Sequence, residues 1–234
     1  MMIGSKVDYN INDLYIPKDS KGDNDYQKSF SATLTIIIRN KEGNIIKKYK
    51  QKSHSPTANF IALMLPITFY NNLGNPLAIT TVSGSTINYY PNTNTYYYEV
   101  IYPNNLNNYN TYIVNIMVGS GSQSNPYNAY NLNAPISNGS GTGQLLYSSP
   151  DTPTEITISD NQAYFIVSQS LTNQSGGTIT ISEIGIITSI GIMYSYTVTM
   201  YGGNVLVWYD VLSSPISLSN GQSATIYYTF SINA

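Results

Sequence analysis

The chain has 234 residues, of which 41% are hydrophobic, only 9% are charged and none is cysteine. That length allows one large β domain or two small ones with a real core, and the missing thiols exclude disulfide frameworks, thiolate metal sites and cysteine nucleophiles. Typical domains are about 25% charged, so solubility here rests on amides, hydroxyls and the phenols of 23 tyrosines, a surface commoner on secreted and virion-exposed β proteins than on cytosolic enzymes.

Residues 1–30 read as a polar arm. Asp19, Asp23 and Asp25 fit no calcium loop and lack the helical flanks of an EF-hand, so DSKGDND reads as a turn. All ten basic residues lie between Lys6 and Lys52; with six acids beside them, residues 1–52 carry +4 and the remaining 182 residues carry −6. This asymmetry suits a solvated hairpin, a docking segment for an acidic partner subunit or, as the weaker alternative, a nucleic-acid contact. The N-terminus shows no apolar core of signal-peptide length.

A β-sandwich domain is expected over 31–234, with a hairpin and helix in 31–76 and a sub-boundary near 103–110. SATLTIIIR (31–39) alternates, NKEG turns, and NIIKKYKQK (44–52) returns. Lys47, Lys48, Lys50 and Lys52 cluster on the return strand as candidate interface residues, although charge on an edge strand also discourages aggregation. SHSPTANFIALML predicts a short helix near 56–65, with Ser55 as N-cap, Pro56 in the first position and Pro66 ending or kinking it. The longest apolar run, FIALMLPITF, is about half a membrane span, so no transmembrane helix is expected.

Strands are then predicted at 77–82, 86–90, 95–102, 111–118, 143–147, 154–159, 162–171, 178–187, 190–200, 204–212 and 222–232. Turns such as SNGSGTG, NQSGG, YGGN and SNGQ separate them. The fold class that follows is mainly β: an antiparallel sandwich or jelly roll with an N-terminal hairpin and one short helix.

The run TYIVNIMV leads into VGSG, a strand followed by Gly-x-Gly. A phosphate loop would need a lysine and a following helix, and no lysine occurs after Lys52. A dinucleotide fingerprint would need a third glycine and a βαβ unit. The glycines therefore read as a strand exit, NPYNAYN as a polar loop, and Leu132 to Ile136 as re-entry into the sheet. His54 is the only histidine, which leaves no serine triad and no zinc set. Asp151, Glu155, Asp160, Glu183 and Asp210 could supply a glycosidase pair, but no local motif supports one. No catalytic residue, cofactor, metal or small-molecule substrate is assigned, and the chain is not expected to be an enzyme.

Glu183 shares the parity of Ile179 and Ile181 and is expected to point toward the core. A buried carboxylate must be paired; Arg39, the only arginine, is one candidate partner and backbone amides are the favoured one. Tyr96, Tyr97, Tyr98, Tyr127 and Tyr130 are candidate interface residues, since without nearby cations they would serve nucleic acid poorly. Asn138-Gly-Ser and Asn173-Gln-Ser match the N-glycosylation pattern.

Three stretches, in order, carry a resemblance. RNKEGNIIKKYKQKSHSPTANFIALM (39–64) is a hairpin with a central glycine followed by an Asn-Phe-Ile helix. IMVGSGSQSNPYNAYNLNAPI (116–136) is a strand ending in Gly-x-Gly, then a loop and a short apolar strand. LTNQSGGTITISEIGI (171–186), with WYDVLSSPISLSNGQSATIYYTFSI (208–232), supplies closing strands around an "SEIG" strand. Together they cover about half the chain and resemble small structural proteins of tailed phages and archaeal viruses. The Cys-free, Tyr/Asn/Thr-rich composition is similar to virion proteins of hyperthermophilic archaeal viruses. The resemblance implies a virion component of the tail, nozzle, neck or turret kind, partnered by copies of itself and by other virion proteins. It implies no catalytic residues. An archaeal adhesin, S-layer or pilus-type subunit is the alternative, with a glycan-binding module behind it.

Overall fold

The computed structural model describes residues 29–53, 55–68, 77–89, 101–103, 114–151, 155–159, 162–194 and 199–233. Most of the polar arm, His54, Tyr96, Tyr97, Tyr98 and the expected sub-boundary from residue 104 onward lie outside them.

The protein is mainly β, built of antiparallel sheets with one short helix. β1 (Ser29–Arg39) and β2 (Ile45–Ser53) form the N-terminal hairpin. Its turn closes through the Asn40 side chain, which accepts a bond from the Asn44 amide at 2.8 Å, and through Gly43 at φ +84°, a conformation that a side chain would resist. β12 (Ser223–Asn233) lies on the other side of β1, and β9 (Gln162–Thr172) follows β12. β7 (Leu146–Tyr147) and β8 (Thr157–Ser159) share the far edge of β9. In the second sheet β10 (Ile179–Tyr194) pairs along its length with β11 (Thr199–Leu218). The other edge of β10 takes β6 (Val114–Gly119) and β5 (Ile101–Pro103). β3 (Leu77–Thr80) and β4 (Thr86–Tyr89) make a separate hairpin.

Period-2 alternation places one core between the sheets. Ala32, Leu34, Ile36 and Ile38 of β1 and Ala224, Ile226, Tyr228 and Phe230 of β12 meet Ile181, Ile184 and Ile186 of β10 and Trp208 and Leu212 of β11 in a single buried cluster. Both sheets contribute to this one core. The opposite face of the second sheet is also covered: Ala129 and Leu132 pack there on Ile187, Leu206 and Tyr209.

The expected strand at 178–187 runs on without a break through residue 194 as one strand, β10, while Thr199 and Met200 of the expected 190–200 strand belong to β11, which also contains the expected turn YGGN. Gly203 is not a turn residue. A Cβ there would come within 2.8 Å of the Thr81 side chain, beside the bond from the Val82 amide to the Asn204 carbonyl. The glycine admits a close neighbour, a usual meaning of glycine within a strand.

The helix, α1 (Ala58–Thr68), starts later than Ser55 and Pro56 suggest and runs past Pro66. Ser55 and Pro56 lie against β11 instead: the Tyr209 amide donates to the Ser55 carbonyl at 3.0 Å, and Pro56 bridges Trp208. The cap is Thr57, whose hydroxyl accepts the Phe60 amide at 3.4 Å. An exposed strand edge takes precedence over an early helix start because its unpaired amides need partners. No helix among the described residues is long and apolar enough to cross a membrane.

Candidate functional site

The segment from Ser120 to Ile136 leaves β6 at Gly119, crosses the outer face of the second sheet and returns to β6. On return, the Ile136 amide donates to the Val118 carbonyl at 2.9 Å and the Ser120 amide to the Ala134 carbonyl at 2.9 Å. One short 3-10 turn, Pro126–Asn128, lies within it.

Its anchor is Glu183, which is fully buried. Oε1 accepts the amides of Ala134 at 2.7 Å and Gly121 at 3.2 Å; Oε2 accepts the Asn133 amide at 3.0 Å and the Tyr209 phenol at 2.7 Å. Converging backbone amides of this kind form a nest that holds an anion. Here the anion is the protein's own carboxylate, so the amides that a phosphate would need are already bound. Gly119 and Gly121 supply room rather than ligand contacts. A Cβ on Gly119 would press on the Glu183 carboxylate and lie 2.7 Å from the Ala134 carbonyl oxygen, and one on Gly121 would lie 3.0 Å from the Ala134 nitrogen.

Tyr209 ties the same loop a second time. Its oxygen accepts the Gln123 amide at 2.9 Å, and the Gln123 side chain donates to the Asn131 carbonyl at 2.6 Å. Burial first, and then the bond to Glu183, hold the Tyr209 phenol well above its ordinary range, so it stays a donor. Tyr147 fixes the base of the loop by donating to the Ile136 carbonyl at 2.8 Å and accepting the Val118 amide at 3.3 Å; burial pushes its phenol up to about 12. Beside it, the Gln169 oxygen accepts the Ile116 amide at 2.7 Å. These bonds fix a loop whose crest carries Tyr127 and Tyr130, both exposed.

A second buried carboxylate, Asp210, faces the core between the sheets. Its Oδ2 accepts the Ser53 hydroxyl at 2.5 Å and the Tyr228 phenol at 3.0 Å, while the Trp208 indole donates to the Ser53 oxygen at 2.5 Å. Burial, with Asp210 second, raises the Tyr228 phenol well above its usual value. The network joins β2, β11 and β12 and holds Ser53 as a buried donor within the core.

Glu183 and Arg39 do not meet. Arg39 is only half-buried, at the hairpin end, and donates to the Gly43 carbonyl at 3.1 Å, so it is not a buried structural charge. The parity argument for Glu183 also needs correction. The register between β10 and β11 shifts between Ile181 and Glu183, after which Ile184 and Ile186 occupy the main core and Glu183 lies under the loop. Lys47, Lys48, Lys50 and Lys52 are exposed on β2, the edge strand of the first sheet. Asn138 is exposed. Asn173 is fully buried, and its amide nitrogen donates to the carbonyls of Leu218 at 2.7 Å and Gly177 at 2.8 Å, so the folded chain does not present it to solvent. The sequence marks neither Tyr209 nor Tyr147, and marks Asp210 only as one of five acids available to a glycosidase pair. Asp210 had one legible signal, a lone acid inside the apolar run VLVWYDVL.

Among the described residues no three His, Cys, Asp or Glu side chains group to hold a metal ion. Comparison with models of protein families, with curated proteins and with solved structures finds no match.

Proposed function

We propose that this chain is a structural subunit of a virion, working in a homo-oligomeric ring or vertex of the tail, nozzle, neck or turret kind in an archaeal virus. The observation that carries the reading is the pinned loop. Tyr127 and Tyr130 are 57% and 47% exposed on a backbone held by Glu183, Tyr209 and Tyr147. Rigid tyrosines among uncharged amides give contact area at little entropic cost, which favours protein interfaces. The polar groups that could have served chemistry, Glu183, Asp210 and Ser53, are committed to internal hydrogen bonds. The exposed lysines of β2 offer a separate contact for an acidic neighbour, with no nucleic acid required.

Light scattering and native mass spectrometry across micromolar concentrations test this. The expected result is a closed oligomer of defined copy number. Tyr127→Ser with Tyr130→Ser should weaken its assembly about 30-fold or more, the effect of losing one interface anchor of about 2 kcal/mol. A wild-type chain that stays monomeric throughout overturns the proposal. Glycan binding by that monomer would favour the glycan-binding reading instead.

A further inference from the structure

β2 ends the first sheet: it pairs with β1 on one side and has no strand on the other among the described residues. Such an edge presents backbone donors and acceptors to any strand that comes alongside. From Lys47 to Ser53 its pairing with β1 is regular, since the one shift in register falls between the partners of Ile38 and Arg39. At about 3.4 Å per residue this stretch is about 20 Å long. Its inward side chains hold it to β11. The Gln51 nitrogen donates to the Val211 carbonyl at 3.1 Å, its oxygen accepts the Ser213 amide at 3.0 Å, and Ser53 donates to Asp210. A strand fixed in this way loses little freedom when a partner arrives.

Charge selects the occupant. Lys48, Lys50 and Lys52 alternate with the inward residues, so they share the outer face; all three are exposed and stand about 6.8 Å apart. Their partners on β1 are Ile37, Thr35 and Thr33, which carry no charge. The row from Lys50 continues through Thr35 and Tyr227 to Ser168, about 14 Å across, before it meets an acid, Asp151, which accepts the Ser168 hydroxyl. Three cations thus stand in line with no carboxylate opposite them in the described sheet. A second β2 cannot answer them. Antiparallel pairing about Lys50 sets Lys50 opposite Lys50 and Lys48 opposite Lys52, and like charges directly opposite destabilise a pair. Nor does any described strand of this chain carry acids at alternate positions: Glu183 and Asp210 are the acids in those strands, and both are buried.

We propose that β2 is a strand-addition site for an extended segment of a different protein, with Asp or Glu at alternate positions. Main-chain bonds give the affinity, and an acid opposite each lysine gives the choice of partner. This deepens the lysine contact of the assembly proposed above and rests on it only for the partner's identity, a neighbouring virion protein. Fluorescence anisotropy on the full chain tests it with a labelled, end-blocked peptide in which three glutamates alternate with valine and threonine. A control peptide of the same composition has the glutamates side by side. The alternating peptide should bind about tenfold or more tighter than the control. Lys48→Gln, Lys50→Gln and Lys52→Gln, all at exposed sites, should each weaken it about 1.5–5-fold, and the triple variant about tenfold. Glutamate at all three positions should transfer the preference to an alternating lysine peptide. By hydrogen exchange, alternate amides of residues 47–52 should exchange freely in the chain alone and about tenfold or more slower under saturating peptide. Equal binding of the control peptide, or of a single-stranded oligonucleotide of equal charge, would mean attraction without strand pairing and overturn the proposal. So would absence of binding, or β2 amides all protected in the free chain. Copy number judges the assembly separately: a monomer that takes the peptide sinks that reading and keeps the edge, whereas a closed oligomer that ignores it overturns the edge alone.

Discussion

Replacing Glu183 by glutamine isolates the charge that pins the loop. The side chain keeps its shape, but only one oxygen remains. If the new nitrogen takes the Oε1 position it faces the amides of Gly121 and Ala134; at Oε2 it faces the Asn133 amide and the Tyr209 phenol. Either way a donor is set against donors, and only the phenol can rotate to accept. Bonds to a charged group are worth about 1.5–3 kcal/mol each, and a buried donor without a partner costs about 1–3 kcal/mol. Some relaxation is expected, so the net loss is about 3 kcal/mol. For a chain of this size each kcal/mol moves Tm by about 2–4 °C, which predicts a fall of about 6–12 °C by near-UV circular dichroism. Glu183→Ala leaves all four donors unmatched and should cost about 3–5 kcal/mol. Limited proteolysis should cut the glutamine variant first within 120–136, where only local bonds are lost. A glutamine variant within about 1 °C of wild type, with the loop equally resistant, would refute the anchoring role.

Gly119→Ala should cost about 1–3 kcal/mol in urea unfolding, because its Cβ meets the Glu183 carboxylate and the Ala134 carbonyl; an unchanged midpoint would show that the loop yields freely. In a glycosylating host, peptide mass mapping of folded protein should find Asn173 unmodified, since its amide nitrogen is buried and doubly bonded. A glycan at Asn173 on protein with native circular dichroism would contradict that geometry. Tyr147, Tyr209 and Tyr228 all have phenols raised by burial. The folded state therefore holds these protons more tightly than the unfolded chain; their contribution is intact below about pH 10 and declines as pH rises toward about 12 for Tyr147. Tyrosinate absorbance should show a late phase coinciding with loss of near-UV signal, and complete titration of all tyrosines before unfolding would refute it.

Much of the fold is legible in order. The alternation in SATLTIIIR and SATIYYTFSI marks β1 and β12, because a period of two is a local consequence of the pleat, and SNGQ ends where Gly221 turns at φ +84°. The failures have local causes too. YGGN looks like a turn until Thr81 occupies the space that a side chain would need, and Ser55 looks like a cap until β11 takes its carbonyl.

By itself the sequence determined the β class, the hairpins, the charged N-terminal end and the misfit of VGSG with a phosphate loop. Only the tertiary structure decided what those glycines are for. The amides that answer Glu183 lie 62 residues away at Gly121 and 49 at Ala134, and no local pattern encodes a partner at such distance. The same holds for Asp210 with Ser53 and for the burial of Asn173. A buried polar group must find its partners wherever packing brings them, so its role becomes readable only once the sheets have closed on it.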